Sequence, residues 1–272
     1  FKYKGVIFFW IFSSSKFTVS FGKVFETVSE VFWEFSVSVV FLITILFTGA
    51  HEANNINKNK KSVMKTGLYI VSTPIGNLND ISARAINTLN NSDIIICENP
   101  KHSLKLLSKL GIKKKLISLH DYNEEVVIEN LKEDISVKKI SLISDAGAPL
   151  MCDPGYKLVR HCVENKIHVT TIPGPSSIIG ALQLSSIPTN KFIFHGFLPK
   201  SKKAIGDFID GLAESNATSV FFVSRHKLLQ FLEEISKKLP EQKLAVCKEL
   251  TKLNERVIIG SSTTVLREVK KN

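Results

Sequence analysis

The sequence predicts an α/β protein built from two α/β domains, and three observations carry that expectation. From Leu68 onward, short apolar runs alternate with amphipathic stretches, the pattern of repeated strand–helix units. The apolar runs are continuous, as in strands of a parallel sheet covered on both faces. The stretch Ser185-Ser186-Ile187-Pro188-Thr189-Asn190 interrupts the series and reads as a hinge, after which a second strand–helix series begins.

The elements follow in order. A strand at 68–71 leads to a helix over 81–90, with Asp80 as its cap and Ile81, Ala85, Ile86 and Leu89 on one face. A strand at 93–98 precedes a helix over 102–110 that stops at Gly111, a suitable residue just past a helix end. A strand at 115–119, a helix over 124–135 and a strand at 140–145 come next. A helix over 156–165, a strand at 169–172 and a helix over 176–184 complete the first series. The second series has strands at 192–197, 220–223, 244–248 and 256–259, helices over 204–214 and 227–239, and a short terminal helix. Two such domains imply a cleft between them, where small ligands usually bind.

Composition narrows the function. A chain of 272 residues with 44% hydrophobic and 22% charged residues is neither disordered nor collagen-like. Its 36 Lys+Arg against 25 Asp+Glu, a net charge of +11, favour an anionic partner such as nucleic acid or a membrane surface. Cys97, Cys152, Cys162 and Cys247 form no CxxC or CxxH pair, so neither a zinc site nor a disulfide framework is supported.

Residues 1–63 differ from the rest. They hold 11 of the 18 Phe and both Trp, but none of the nine Pro. Their charge-free run at 35–50 is shorter than the ~18–20 residues of a membrane span. They read as a non-native upstream extension, disordered or weakly helical, with Met64 the natural start; a weak membrane anchor is the minor alternative. The domains are then 64–188 and 189–272. The seven Lys and four Glu of the extension leave +8 of the +11 to residues 64–272.

In open α/β sheets ligands bind beyond the carboxyl ends of the strands. Three Pro/Gly loops lie there: Ser72-Thr73-Pro74-Ile75-Gly76-Asn77-Leu78; Asp145-Ala146-Gly147-Ala148-Pro149 running on to Asp153-Pro154-Gly155-Tyr156; and Pro173-Gly174-Pro175-Ser176-Ser177. None matches GxGxxG or GxxxxGK[ST]. Such loops bring backbone close to a ligand with little entropy left to lose, though each alone is as often an ordinary turn. On the residues alone, Asp145 is equally a turn carboxylate, and Ser176 or Ser177 an N-cap.

Taken together with Gly196-Phe197-Leu198-Pro199 and Lys248-Glu249-Leu250-Thr251-Lys252, these loops resemble the tetrapyrrole-methylase superfamily, and within it the branch of bacterial small-subunit ribosomal RNA cytidine 2′-O-methyltransferases. The resemblance covers nearly all of 64–272. It implies two α/β domains with S-adenosylmethionine in their cleft, a homodimer, a cytoplasmic location, 16S rRNA of the small ribosomal subunit as substrate, and no stable membrane partner. Carried over, Thr73, Pro74 and Gly76 line the cofactor cleft, Asp145, Gly147 and Ala148 form the loop beneath the cofactor, and Ser176 and Ser177 lie at its edge. Methyl transfer of this kind needs alignment and a proton acceptor but no metal in principle. Glu98, His102, His120 and Asp153 are the candidates for accepting the proton or holding the ribose.

Some positions depart from the family pattern. Glu98-Asn99-Pro100-Lys101-His102 stands where Glu-Asp-Thr-Arg-His is usual, Ala148 where Thr is usual, and Val223-Ser224-Arg225-His226-Lys227 where a Glu-Ser-Pro-His-Arg-like turn is usual. Family members also continue beyond Leu266-Arg267-Glu268 into a closing strand, so truncation with an exposed sheet edge is expected. The other readings are a tetrapyrrole-type small-molecule methylase and an inactive rRNA-binding homologue.

Overall fold

A computed structural model describes residues 64–271 and, as backbone strand only, residues 8–13. The reading of 1–63 as an extension therefore lies outside the described residues, except at β1 (Phe8–Ser13), which is extended where disorder or weak helix was expected.

The first sheet is fully parallel, in the order β4-β3-β5-β2-β6, formed by β2 (Gly67–Val71), β3 (Ile94–Cys97), β4 (Lys115–Ser118), β5 (Lys139–Ile143) and β6 (Val169–Ile172). Burial on both faces explains the unbroken apolar runs. On one face Leu68, Ile94, Ile96 and Leu142 pack with Leu131 and Leu158. On the other, Tyr69, Val71, Ile95 and Ile143 pack with Leu89 and Leu107. Because β2 lies between β5 and β6, the three Pro/Gly loops leave the sheet side by side.

The helices of this half are α1 (Ala83–Asn91), α2 (Pro100–Lys109), α3 (Glu124–Leu131), α4 (Asp134–Val137), α5 (Tyr156–Glu164) and α6 (Ser177–Leu184). Ser82, not Asp80, caps α1: its hydroxyl accepts the Ala85 N–H at 3.0 Å, while Asp80 ends the 3-10 turn Leu78–Asp80. The helix expected at 102–110 begins earlier, at Pro100. The one expected over 124–135 is split into α3 and α4. Gly111 ends α2 with φ +71°, as expected of a left-handed glycine.

The second sheet runs β10-β9-β1-β8-β7, with β7 (Phe192–Phe197), β8 (Thr218–Val223), β9 (Lys243–Lys248) and β10 (Arg256–Ser261). It is mixed: β7 and β8 are parallel, β9 and β10 antiparallel, and β1 lies antiparallel between β8 and β9. Helices α7 (Lys202–Glu214), α8 (Arg225–Lys238) and α9 (Ser262–Lys270) supply Ile205, Phe231, Ile235 and Val265 to one core, around Phe221.

The opposite face of this sheet shares a core with the first half. Val220, Ala245, Cys247 and Leu250 pack with Ile75, Ile178, Ala181, Leu182 and Ile187. The expected hinge is accordingly a packed connector. Ser185 is fully buried, its hydroxyl donating to Leu182 O at 2.9 Å and accepting the Ile187 N–H at 3.1 Å. Lys243 Nζ donates to Ser186 O at 2.6 Å. No described helix is long and apolar enough to cross a membrane.

Candidate active site

The loops after β2, β5 and β6 are knitted together by main-chain polar groups. Thr73 N–H donates to Gly147 O at 2.8 Å, and Gly147 N–H returns to Thr73 O at 3.0 Å. The Thr73 side chain is fully buried, and its hydroxyl donates to Ser144 O at 3.2 Å. Gly147 has φ +84°, and a Cβ there would lie 3.1 Å from Ile75 Cγ2. The third loop joins through Ser72 N–H to Ile172 O at 3.2 Å, and a Cβ on Gly174 would meet Ser72 Cβ at 3.0 Å.

Next to this bridge lies a group of carboxyls. Asp145 lies two residues past the end of β5; its Oδ1 is buried without a hydrogen-bond partner, while the Asn99 backbone N–H acts to hold the carboxyl's pKa down. Burial raises its pKa, against the opposing pull of His102 and that N–H. Asp153 is half-buried and is pushed up to about 7, first by burial and then by Glu98, against a hydrogen bond from Ser144. Glu98 stands at the open rim, yet its carboxyl is also raised, by partial burial and then by Asp145 and Asp121. Carboxyls this close cannot all ionise cheaply, so one proton is retained within the group near neutrality. The Ser144 hydroxyl donates to Gly147 O at 3.1 Å.

Local sequence places these groups. Asn99 caps α2 by accepting from the N–H groups of Lys101 at 3.1 Å and His102 at 3.3 Å, with Pro100 at the first helical position, where its missing donor costs nothing. The Asn99-Pro100 departure from the family pattern is thus a helix start that also points a backbone N–H at Asp145. Beyond Asp145, Leu150 at φ 72°, Cys152 at φ 70° and Gly155 at φ 123° fold the chain back so that Asp153 returns toward Ser144. Gly155 is held to glycine, since a Cβ would lie 2.8 Å from Leu142 Cδ2. It cannot cap α5 itself; the buried Glu124 does so from α3, accepting the Leu158 N–H at 2.8 Å.

The structure therefore brings Glu98, His102, Asp145 and Asp153 together. His120 is exposed after β4, its ring tilted against Tyr122 at 6.3 Å and its backbone N–H bound to Asn123. Pro74 and Ala148 are half-buried, and Gly76 is exposed on the first loop. Ser176 caps α6 through the Ile179 N–H at 3.5 Å, and Ser177 opens that helix. Sequence reasoning missed Asn99, Asp121 and Ser144. An Asn-Pro pair before a helix was a readable signal; nothing local marks Ser144 as a residue that acts on Asp153.

The family that this chain's sequence matches defines a methyltransferase that works on a bound methyl donor. The chain belongs to the family of tetrapyrrole (corrin/porphyrin) methylases, whose sequence model matches residues 67–266. It is 44% identical over 206 residues to the ribosomal RNA small subunit methyltransferase I of Haemophilus influenzae, covering 74% of this chain and 71% of the relative. It is 38% identical over 208 residues to the protein of the same name from Thermotoga maritima, covering 75% and 92%. Among solved structures it resembles a diphthine synthase at TM-score 0.57 and 15% identity, over 75% of this chain and 84% of that one, a likeness of fold. The cofactor of the family is S-adenosylmethionine. The site fits it: Asp145 Oδ1 is a buried acceptor without a protein partner, suited to a ligand amino or hydroxyl group.

Proposed function

We propose that this enzyme methylates the ribose 2′-hydroxyl of a cytidine in 16S rRNA of the small ribosomal subunit, as a cytoplasmic homodimer with no stable membrane partner. The likeness to relatives named ribosomal RNA small subunit methyltransferase I, over about three quarters of the chain, carries this reading. The +8 charge of residues 64–272 supports a phosphate-rich substrate. The exposed Phe192, Ile193 and Phe197 on the edge strand β7 support self-association.

When bound, S-adenosylmethionine supplies a methyl group on a positively charged sulfur, which leaves as a neutral thioether. Thr73, Pro74 and Gly76 would border it on one side. Asp145, Gly147 and Ala148 would border it on a second, and Ser176 and Ser177 on a third. Asp145 Oδ1 would take a donor of the ligand, with Asn99 N–H and His102 holding the carboxyl. As the 2′-oxygen bonds to the methyl carbon and the carbon–sulfur bond breaks, the 2′-proton passes to Asp153. Its elevated pKa matches a base working near neutral pH, and such a base contributes about 10²–10⁴-fold in rate. Burial, and then the charge of Glu98, keep Asp153 basic.

The test incubates the full chain with labelled S-adenosylmethionine and small ribosomal subunits lacking this modification, followed by mass spectrometry of the digested rRNA. The expected product is 2′-O-methylcytidine. Methylation of a base, or no transfer, overturns the reading.

A further inference from the structure

The segment Lys248-Glu249-Leu250-Thr251-Lys252 joins β9 to β10, yet it reaches the first Pro/Gly loop. A Cβ placed on Gly76 would lie 2.3 Å from Lys252 Cγ, 2.9 Å from Lys252 Cε and 3.1 Å from Leu250 O. Gly76 does not need glycine for its backbone angle; it needs it for room, because the aliphatic stem of Lys252 lies on it.

The strap is firmly built. Glu249 and Thr251 adopt φ 55° and φ 64°, a conformation uncommon outside glycine and rarest for the β-branched Thr251, which persists only where the surroundings fix it. Thr251 N–H donates to Glu255 Oε2 at 2.7 Å, Lys252 N–H to Glu249 O at 2.9 Å, and Glu255 N–H to Lys252 O at 3.0 Å. Lys252 Nζ sits 3.3 Å from Glu249 Oε1 on its own strap, while the stem faces Gly76. Leu250 anchors the segment in the core shared by both halves.

We propose that Lys252 is a positioning residue whose aliphatic stem, not its charge, fixes the loop at 72–78 and thereby sets affinity for S-adenosylmethionine. This rests on the reading that Thr73, Pro74 and Gly76 border the cofactor. A long chain pressed on a glycine acts as a removable wedge: shortening the chain frees the loop, and enlarging the glycine expels the chain.

The test is a double-mutant cycle in the full chain, read by calorimetric titration of S-adenosylmethionine and by thermal melts. Lys252→Ala and Gly76→Ala each weaken binding about tenfold, whereas Lys252→Met, which keeps the stem, stays within about twofold of the parent. Gly76→Ala combined with Lys252→Ala costs about tenfold, because the Lys252 atoms that clash are gone and only the 3.1 Å contact with Leu250 O remains. Additive losses near a hundredfold, or Lys252→Met falling as far as Lys252→Ala, overturn the proposal. If melting temperatures are non-additive while all affinities stay unchanged, the stem touches Gly76 but the loop does not border the cofactor, and the proposal fails through the reading beneath it.

Discussion

Thr73 and Gly147, 74 residues apart in sequence, exchange both of their backbone hydrogen bonds, and the Thr73 hydroxyl adds a further link to Ser144 O. This antiparallel bridge sits on top of parallel strands. It sets the spacing between the first loop and the loop that carries Asp145, so the site's geometry depends on a side chain with no access to solvent.

Thr73→Val keeps the shape but removes the hydroxyl, leaving a buried apolar group against main-chain acceptors. The expected cost is about 1–3 kcal/mol in denaturant unfolding, with Thr73→Ser recovering most of it. A cost within error for Thr73→Val would show that the backbone pair holds the loops unaided.

Asp153 links activity and stability to pH. Its pKa is about 7 in the folded chain against 3.8 for the free group, so the folded state binds more protons between those values. Stability is therefore greatest below about pH 4 as far as this group is concerned, and falls as pH rises toward and through 7. Glu98 and Asp145 shift the same way, and His102 opposes the shift of Asp145. Asp153→Asn should flatten the fall in melting temperature between pH 5 and pH 8 while lowering the methylation rate by about 10²–10⁴-fold. The parent rate should climb through about pH 7 and level off. A variant retaining the parent's rate would exclude Asp153 as the base.

Asn99→Ala removes the α2 cap and should cost about 1 kcal/mol in thermal or urea unfolding. Asn99→Asp keeps a capping oxygen but adds a negative charge beside Asp145 and Glu98. Its stability should stay near the parent's, and its pH–rate profile should move to higher pH. An unmoved profile would place the 99 side chain too far from the carboxyls to matter.

A chain beginning at Met64 lacks β1 and leaves β8 and β9 with facing edges unpaired. It should melt at a lower temperature than the full chain and scatter more light on heating, since open strand edges recruit other chains. Equal melting temperatures would mean that the second sheet closes without β1.

The strands of the first sheet were legible because double-sided burial leaves few polar residues: β3 is buried along its whole length, and the run at 93–98 brackets it. Element ends were less so. Ser82 and Asp80 are both good caps, and only the path of the chain decides between them. The order of the second sheet was hidden because its central strand, β1, comes from a distant, aromatic-rich segment whose composition suggests no pairing partner. At the site, Glu98, Asp145 and Asp153 could be picked out by their places after strands. Their mutual influence could not, because it depends on left-handed backbone at Leu150 and Cys152, which no residue type there announces.

The core shared by Ile75, Ile187, Cys247 and Leu250 has a kinetic meaning. Swinging the two halves apart would expose packed side chains to water, a barrier that a small ligand's encounter energy does not overcome. With the cofactor bordered by the loops as proposed above, the methyl donor would enter a seat already formed. Its arrival rate should depend on how often it collides in the right orientation, and its departure rate on the contacts it must break.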